Sequence, residues 1–283
     1  MNRLKFKMGY MLKRPEVLRA YQEIKSNESK GMDFLQEFQN RQLQKMVKFA
    51  VENVPYYTEL FSHLHLNWQD IKTVKDLEKI PILTKDEMKR NPESFIPKNQ
   101  SIPYVDGSTG GSTGVPLKYR MSKEDYARGV ALLLRGFGFA GYHLGDKMSI
   151  IAGSSLVSKS KSLKSRVQDY MLNFHRYLSY GMDEKDLQMY LINIQKNKPL
   201  FLRGYASSIY IFAKYLEENQ LSLDHQIKAI FSTSEMLFPQ QRRLIEKVFK
   251  TKVKWPSCES SPGQRAFITS TIGKHGRPQI HPS

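Results

Sequence analysis

This chain of 283 residues contains a single cysteine, Cys258, and only 27 acidic residues against 44 lysines and arginines. One cysteine excludes an internal disulfide framework and a cysteine-based zinc cluster. The shortage of acidic residues leaves a formal net charge of +17, which favours anionic partners such as nucleotides, coenzyme A, acidic polysaccharide or anionic lipid. Because the lysines are scattered along the chain, the charge does not indicate a specific nucleic-acid-binding face.

Long hydrophobic runs are also missing. The most apolar stretch, residues 130–142, is interrupted by Arg135 and is too short to span a bilayer. Residues 1–14 mix basic and apolar side chains and lack the continuous apolar segment of a secretory signal. These absences predict a cytoplasmic protein, which could touch the inner face of an anionic membrane through its basic surface. The hydrophobic fraction of 40% is ordinary for a globular protein and argues against wholesale disorder.

Hydrophobic periodicity switches repeatedly between helix and strand along the chain. Helical spacing covers residues 35–51 and recurs around Ile209–Leu216. Compact strand-like runs are predicted at residues 101–105, 117–121, 148–152 and 227–231. Strands alternating with helices predict an α/β fold with a largely parallel sheet.

Capping residues predict where several helices begin. Thr84 with Glu87 forms a capping box, Ser122 is followed by Asp125 at the third helical position, and Pro239 suits a first turn. The serine- and lysine-rich stretch 156–176 is predicted to be a mobile segment or a frayed basic helix.

A dense loop of glycine and hydroxyl residues is the most informative part of the sequence. It offers little apolar surface to bury, but its backbone N–H groups can turn inward around a polyphosphate. A solvated linker is the alternative that composition alone would favour. The residues of the loop are Ser108, Thr109, Gly110, Gly111, Ser112, Thr113 and Gly114.

Two familiar active-site loops fit this segment poorly. Residues 110–114 match the G-x-S-x-G nucleophile elbow of α/β-hydrolases, but that elbow leads directly into a helix. Here Val115 is restrained by Pro116 and the following residues are strand-like. A phosphate loop of the Walker type would end in Gly-Lys-Ser or Gly-Lys-Thr, and the lysine is absent.

The loop resembles the phosphate loop of the adenylate-forming enzymes, whose usual form is Ser-Ser-Gly-Thr-Thr-Gly-x-Pro. Three further segments occur in the same order as in the phenylacetate–coenzyme A ligase-like branch of that superfamily. They are Asn53–Tyr57 with Leu77–Lys85, Arg203–Ser208, and Phe231–Leu237. The Gly-Gly-Ser-Thr-Gly form, with His275-Gly276 and Ile280-His281-Pro282, resembles the subgroup of capsular polysaccharide biosynthesis proteins.

The resemblance implies a fold and a set of site residues. The fold would be the large N-terminal domain of an adenylate-forming enzyme, with sheets flanked by helices. A helical part would span residues 1–100, an α/β nucleotide-binding core 101–254, and an irregular truncated tail 255–283. The loop from Ser108 to Gly114 would hold the ATP phosphates, Ser234 and Glu235 would lie beside the adenine, and Tyr205 would wall the acyl pocket.

A magnesium ligand is implied less clearly. Trp255–Glu259 stands where these enzymes have Tyr-Gly-x-Thr-Glu, which makes Glu259 the expected Mg²⁺ ligand. Proline in place of the glycine is a serious departure, because proline cannot adopt positive φ. A second alignment, on Gly263–Phe267, leaves no glutamate in place. A local slip between Lys254 and Pro262 would reconcile the two alignments.

The implied reaction has two steps and needs ATP and Mg²⁺. A carboxylate attacks the α-phosphate of ATP to give an acyl-adenylate, and a thiol such as that of coenzyme A then takes the acyl group. The ribose-binding aspartate, the hinge and the catalytic lysine of these enzymes have no counterpart within 283 residues. The sequence therefore predicts a truncated enzyme of impaired activity, linked to capsule biosynthesis. The competing hypothesis is a non-catalytic basic protein that binds anionic membrane or polysaccharide.

Overall fold

The computed structural model describes residues 8–9, 11, 14–99, 101–108, 118–153, 163–179 and 181–254. The chain divides into two compact units. One contains the residues up to Ile24 together with those from Arg128 onward, and the other contains Lys25–Ala127. The sequence predicted domain boundaries after residues 100 and 254. These boundaries stay a prediction, because the two units are divided by contacts and not by function.

The unit of residues 25–127 is mainly helical. Its longest helix, Met32–Asn53, packs into a small apolar core. The buried residues of this core are Leu43, Val47, Phe61 and Ile71. The Thr84 hydroxyl accepts a hydrogen bond from the Glu87 N–H, and the Glu87 carboxylate accepts one from the Thr84 N–H, so the predicted capping box is confirmed. The helices are α1 (Pro15–Asn27, which enters this unit), α2 (Met32–Asn53), α3 (Pro55–His63) and α4 (Lys85–Arg90), with 3₁₀ turns at Trp68–Asp70, Val74–Lys79 and Pro92–Phe95.

An antiparallel hairpin completes this unit. Its strands are β1 (Tyr104–Ser108) and β2 (Lys118–Ser122). The predicted strand at 101–105 therefore begins three residues late, and the one at 117–121 is close to its predicted place. The next helix, α5 (Lys123–Gly138), is capped as predicted, because the Ser122 hydroxyl accepts from the Asp125 N–H at 3.0 Å.

The second unit is built on a five-stranded parallel sheet of order β4-β3-β5-β6-β7. The strands are β3 (Met148–Ala152), β4 (Phe174–Leu178), β5 (Phe201–Tyr205), β6 (Ala229–Thr233) and β7 (Val253–Lys254), and the intervening helices are α6 (Leu163–Leu172), α7 (Glu184–Asn197), α8 (Ala206–Glu218) and α9 (Pro239–Phe249). This parallel sheet flanked by helices confirms the predicted α/β class.

Helices cover both faces of the sheet. On one face, side chains of α7, α8 and α9 pack with Ile151, Leu202 and Ile230 in the main apolar core. On the other face, Phe137 of α5 lies against Phe231 of β6, with ring centroids 4.3 Å apart. Strands buried on both sides are expected to be continuously apolar. β3 (Met-Ser-Ile-Ile-Ala) is buried throughout and is apolar except at Ser149.

Of the two alternatives predicted for residues 156–176, the helix is confirmed over residues 163–172, whereas residues 174–176 belong to a strand and residues 156–162 lie outside the described residues. Residues 163–172 form α6, and Phe174–Leu178 form the edge strand β4, which pairs with β3. The sequence did not predict β4, because this strand carries His175 and Arg176 at its centre and is stabilised by its pairing with β3.

Candidate functional site

The chain adds strands to both sides of β3, so the direction in which the sheet grows reverses there. The chain goes from β3 outward to β4, then returns to the other side of β3 and continues through β5, β6 and β7. In open α/β sheets, ligands bind beyond the carboxyl ends of the strands at such a reversal. Ile151 of β3 pairs with Gly204 of β5, so the residue after Gly204 lies at the carboxyl ends of the strands, beside this reversal.

That residue is Tyr205, which ends β5 and directly precedes α8. Its backbone is extended, with φ −66° and ψ 144°, and its side chain makes no capping hydrogen bond to the helix. The first N–H groups of a helix have no partner within the helix. The start of α8 therefore needs a partner from elsewhere in the chain, from water or from a ligand.

Glu235 supplies that partner from the adjacent strand connection. β6 runs beside β5, with Thr233 opposite Tyr205, and the chain turns at Ser234. Oε2 of Glu235 accepts a hydrogen bond from the Ser207 backbone N–H at 2.9 Å. A carboxylate in this position is also stabilised by the positive end of the helix dipole.

Ser234 adopts a backbone conformation that is unusual for its type. Its φ is +67°, in the left-handed region, where a side chain costs roughly 1–2 kcal/mol relative to the right-handed region. Ser234 is exposed, and its hydroxyl oxygen lies 3.4 Å from that of Thr233. Two hydroxyl groups and a carboxylate thus stand together at the carboxyl end of β6.

Gly204 allows α8 to start so close to the sheet. A Cβ atom added there would lie 2.4 Å from the Ile151 carbonyl oxygen and 3.1 Å from Cγ1 of Ile209. The carbonyl belongs to the β3 backbone and cannot move aside without disturbing the ladder. Glycine is therefore required for the packing of β3, β5 and α8 at the site.

A positively charged side chain, Arg203, lies on the face of β5 that packs against α5. The Arg203 guanidinium lies over the Phe137 ring of α5, 5.4 Å from the ring centroid. Arg203 and Tyr205 project from the same side of β5, because side chains two residues apart along a strand share a face. The edge of the sheet at Tyr205 is therefore flanked by a positively charged group.

The hairpin of the other unit holds both ends of the glycine loop. Ser108 is the last residue of β1 and pairs with Lys118, the first residue of β2. One step further from the loop, the Tyr119 ring lies directly over Gly107, where an added Cβ would be 2.4 Å from Cζ of the ring. Loop residues Thr109–Gly114 lie outside the described residues.

The predicted site residues are thus only partly brought together. Tyr205, Ser234 and Glu235 share one edge of the parallel sheet, and Ser108 ends a strand of the hairpin. Glu259 lies outside the described residues. Within residues 8–254, so far as they are described, no group of three histidine, cysteine, aspartate or glutamate side chains is arranged to hold a metal ion.

Sequence reasoning missed the contact between Glu235 and Ser207. The two residues are 28 positions apart, so no local motif marks it. One signal was available: α8 begins after a tyrosine, where serine, threonine, aspartate or asparagine would cap a helix locally. A helix that has no capping residue of its own and begins directly after a buried strand is a candidate for capping by a side chain from a neighbouring loop, here Glu235.

Sequence comparison finds relatives in two groups, although no family model matches the chain. Protein CapK of Staphylococcus aureus is 28% identical over 264 residues, which cover 92% of this chain and 57% of CapK. The phenylacetate–coenzyme A ligase of Escherichia coli K12 is 28% identical over 131 residues, covering 46% of this chain and 30% of the ligase. The chain spans about half the length of CapK, its longest match among these relatives.

Solved structures show the same fold. A 2-hydroxyisobutyryl-CoA ligase, solved in the postadenylation state in complex with R3-HIB-AMP, superposes with a TM-score of 0.59 at 16% identity, covering 78% of this chain and 48% of the ligase. Sequence and fold together relate the chain to the adenylate-forming superfamily. Its parallel sheet and flanking helices correspond to about half of such a ligase. Among the described residues, no helix is long and apolar enough to cross a membrane.

Proposed function

We propose that this chain is the nucleotide-binding part of an ATP-dependent acid–thiol ligase that serves capsule or exopolysaccharide biosynthesis. The observation that carries the proposal is the position of Tyr205 at the reversal point of the parallel sheet, with Ser234 and Glu235 beside it at the carboxyl end of the neighbouring strand β6. The similarity to phenylacetate–coenzyme A ligases supports acid activation. The link to capsule is supported by the name of CapK.

The proposed reaction proceeds by two displacements. A carboxylate oxygen of the substrate bonds to the α-phosphorus of ATP. The bond between that phosphorus and the oxygen that bridges it to the β-phosphorus breaks, and pyrophosphate leaves. A thiolate, such as that of coenzyme A, then bonds to the acyl carbon, and AMP leaves. The enzyme contributes mainly by positioning the reactants and stabilising developing negative charge.

Each candidate residue has a distinct part in this proposal. The loop from Ser108 to Gly114 holds the β- and γ-phosphates through backbone N–H groups. Ser234 forms part of the adenine site, and Tyr205 walls the acyl pocket. Glu235 acts through another group, because its carboxylate is bound to the Ser207 N–H and fixes the turn that carries Ser234.

The proposal includes a residue for binding Mg²⁺ but none for the role of the catalytic lysine. Mg²⁺ would neutralise charge on the departing pyrophosphate, and Glu259 is the proposed ligand. The 283 residues contain no counterpart of the catalytic lysine, and loss of such a group typically costs a hundredfold or more in rate. We therefore propose that this chain, tested alone, binds ATP but activates acids slowly.

Calorimetric titration with ATP tests nucleotide binding directly. We expect Gly110→Ala combined with Gly114→Ala to weaken ATP binding by about tenfold or more, because side chains would block backbone donation to the phosphates. The control is Gly129→Ala in α5, where an added Cβ meets nothing within 4 Å. If wild-type chain binds no ATP, or if loop and control variants bind equally, the proposed function fails.

ATP–pyrophosphate exchange with a panel of aryl and short-chain acids tests the chemistry. Slow exchange, stimulated by one class of acid, is the expected result. Rapid exchange would show that this chain has all the machinery it needs and would contradict the proposed impairment. Exchange independent of every acid would contradict acid activation.

A further inference from the structure

An exposed apolar stripe runs along α6, the helix between β3 and β4. Leu163, Val167 and Tyr170 are 79%, 49% and 65% exposed. Their spacing of four and three residues places them on one face of the helix. Arg166 is also exposed and belongs to the same stripe by its position. We call these four residues the α6 stripe.

The inner side of α6 is firmly held to the sheet. The Asp169 carboxylate accepts from Nε of Arg176 on β4 at 2.7 Å, and both side chains are largely buried. Leu172 is buried at the end of the helix. The helix is thus anchored on one side, and its apolar outer side chains are not needed to attach it to the fold.

The N-terminal segment contacts the end of α6 and carries exposed apolar side chains of its own. Gly9 lies against Met171 of α6, since a Cβ added to Gly9 would be 2.8 Å from the Met171 carbonyl oxygen. The flanking residues Met8 and Met11 are 53% and 54% exposed. Exposed apolar side chains clustered in this way mark interaction surfaces more often than isolated ones do.

Positive charge is concentrated in the two segments that carry these side chains. Residues 1–14 include five basic residues and no acidic one. Residues 159–176 include five basic residues and one acidic residue, Asp169, whose charge is matched by Arg176. Among the described residues of the surface, the exposed Arg166 adds positive charge to the apolar side chains, so an occupant that is both apolar and anionic would match it.

We propose that the α6 stripe, with Met8 and Met11, docks the protein on an anionic phospholipid membrane. Helices that lie in the membrane interface place apolar side chains at the boundary of headgroups and acyl chains, and basic side chains beside the lipid phosphates. The proposal concerns a peripheral contact and is independent of nucleotide binding. It would bring the ligase chemistry proposed above to the membrane surface.

Co-sedimentation of the full chain with vesicles tests this surface. We expect binding to vesicles rich in phosphatidylglycerol, and binding at least about tenfold weaker to pure phosphatidylcholine or at high salt. The variant Leu163→Gln/Val167→Gln should lower binding to phosphatidylglycerol vesicles about fivefold or more. The matched control is Met189→Gln/Ile192→Gln, which alters two apolar residues of α7 that are 48% and 58% exposed.

Circular dichroism first establishes that each variant is folded. Arg166→Glu provides a second test that removes no apolar group, and it should also weaken binding to phosphatidylglycerol. Equal binding to both lipids, or equal losses in the α6 and α7 variants, would overturn the proposal. So would a dimer, detected by sedimentation, that Leu163→Gln/Val167→Gln abolishes without changing lipid binding, because the occupant would then be a second copy of the chain.

Discussion

The Glu235 carboxylate and the Ser207 backbone N–H, 2.9 Å apart, join two segments that follow neighbouring strands of the sheet. One segment contains Tyr205, the proposed wall of the acyl pocket, and the other contains Ser234, proposed for the adenine site. A single hydrogen bond thus fixes the spacing between two parts of the candidate site. It also supplies the cap that α8 lacks in its own sequence.

Removal of this carboxylate should destabilise the protein. We expect Glu235→Ala to lower the free energy of unfolding by about 0.5–2 kcal/mol, the usual cost of losing a helix cap. Glu235→Gln should lose less, because its amide oxygen can still accept from Ser207. Denaturant unfolding measures both. The control, Glu218→Ala, removes an exposed carboxylate near Lys214 and should change stability little; equal effects of Glu235→Ala and this control would contradict the capping role.

The left-handed turn at Ser234 gives a second prediction. Ser234→Gly should leave stability unchanged or raise it by up to about 1 kcal/mol, because glycine adopts positive φ without steric cost. Ser234→Val should be clearly destabilising, since a β-branched residue is rarely found there. The control is Thr233→Gly, one residue earlier in β6, where glycine should weaken the strand. Thermal unfolding would refute the argument if both glycine variants lost stability equally.

Gly204 should not tolerate even one additional carbon atom. Gly204→Ala places a methyl group against the Ile151 carbonyl oxygen, and overpacking of this kind typically costs about 1–3 kcal/mol. Gly129→Ala, in the open part of α5, should instead gain about 0.5–1 kcal/mol from helix propensity. Denaturant midpoints of the two variants should move in opposite directions, and a stable Gly204→Ala protein would show that β3 and β5 can separate.

Acid should weaken the attachment of β7 through Glu246. Burial opposes ionisation of Glu246, but hydrogen bonds from the Lys252 ammonium and the Val253 N–H outweigh it and lower the pKa of the carboxyl group. Because the folded-state pKa is the lower one, this stabilisation is complete above the unfolded-state value of about 4.3 and is lost as pH falls through the folded-state value.

Comparison with Glu246→Gln isolates this effect. The variant should have a lower melting temperature than the wild type at neutral pH. The difference should shrink once the pH falls below about 4. Glu218→Gln is the control and should follow the wild type throughout. A difference between wild type and Glu246→Gln that is constant across the pH range would exclude ionisation as its cause.

Local signals in the sequence predicted much of the fold. The caps at Thr84 and Ser122 were recognisable because each involves residues only three positions apart. The apolar strand Met148–Ala152 and the helix opened by Pro239 were equally clear. These elements depend on side-chain spacing and backbone chemistry that the sequence displays directly.

Features that depend on distant partners could not be predicted in this way. β4 is a half-buried edge strand whose residues pair with β3, and its own composition does not indicate a strand. The cap from Glu235 to Ser207 joins different strand connections. The resemblance identified Tyr205, Ser234 and Glu235 as a group, but only the sheet order explains why they are close together.

The pairing of Ser108 with Lys118 has a consequence for the glycine loop between them. Paired strands lie about 5 Å apart, so the two ends of the loop are fixed at that separation before any ligand arrives. The entropy of closing the loop is thus part of the folding free energy of the hairpin. Binding of a phosphate group would therefore not include the cost of bringing the two ends of the loop together, which leaves more of the interaction energy to appear as affinity.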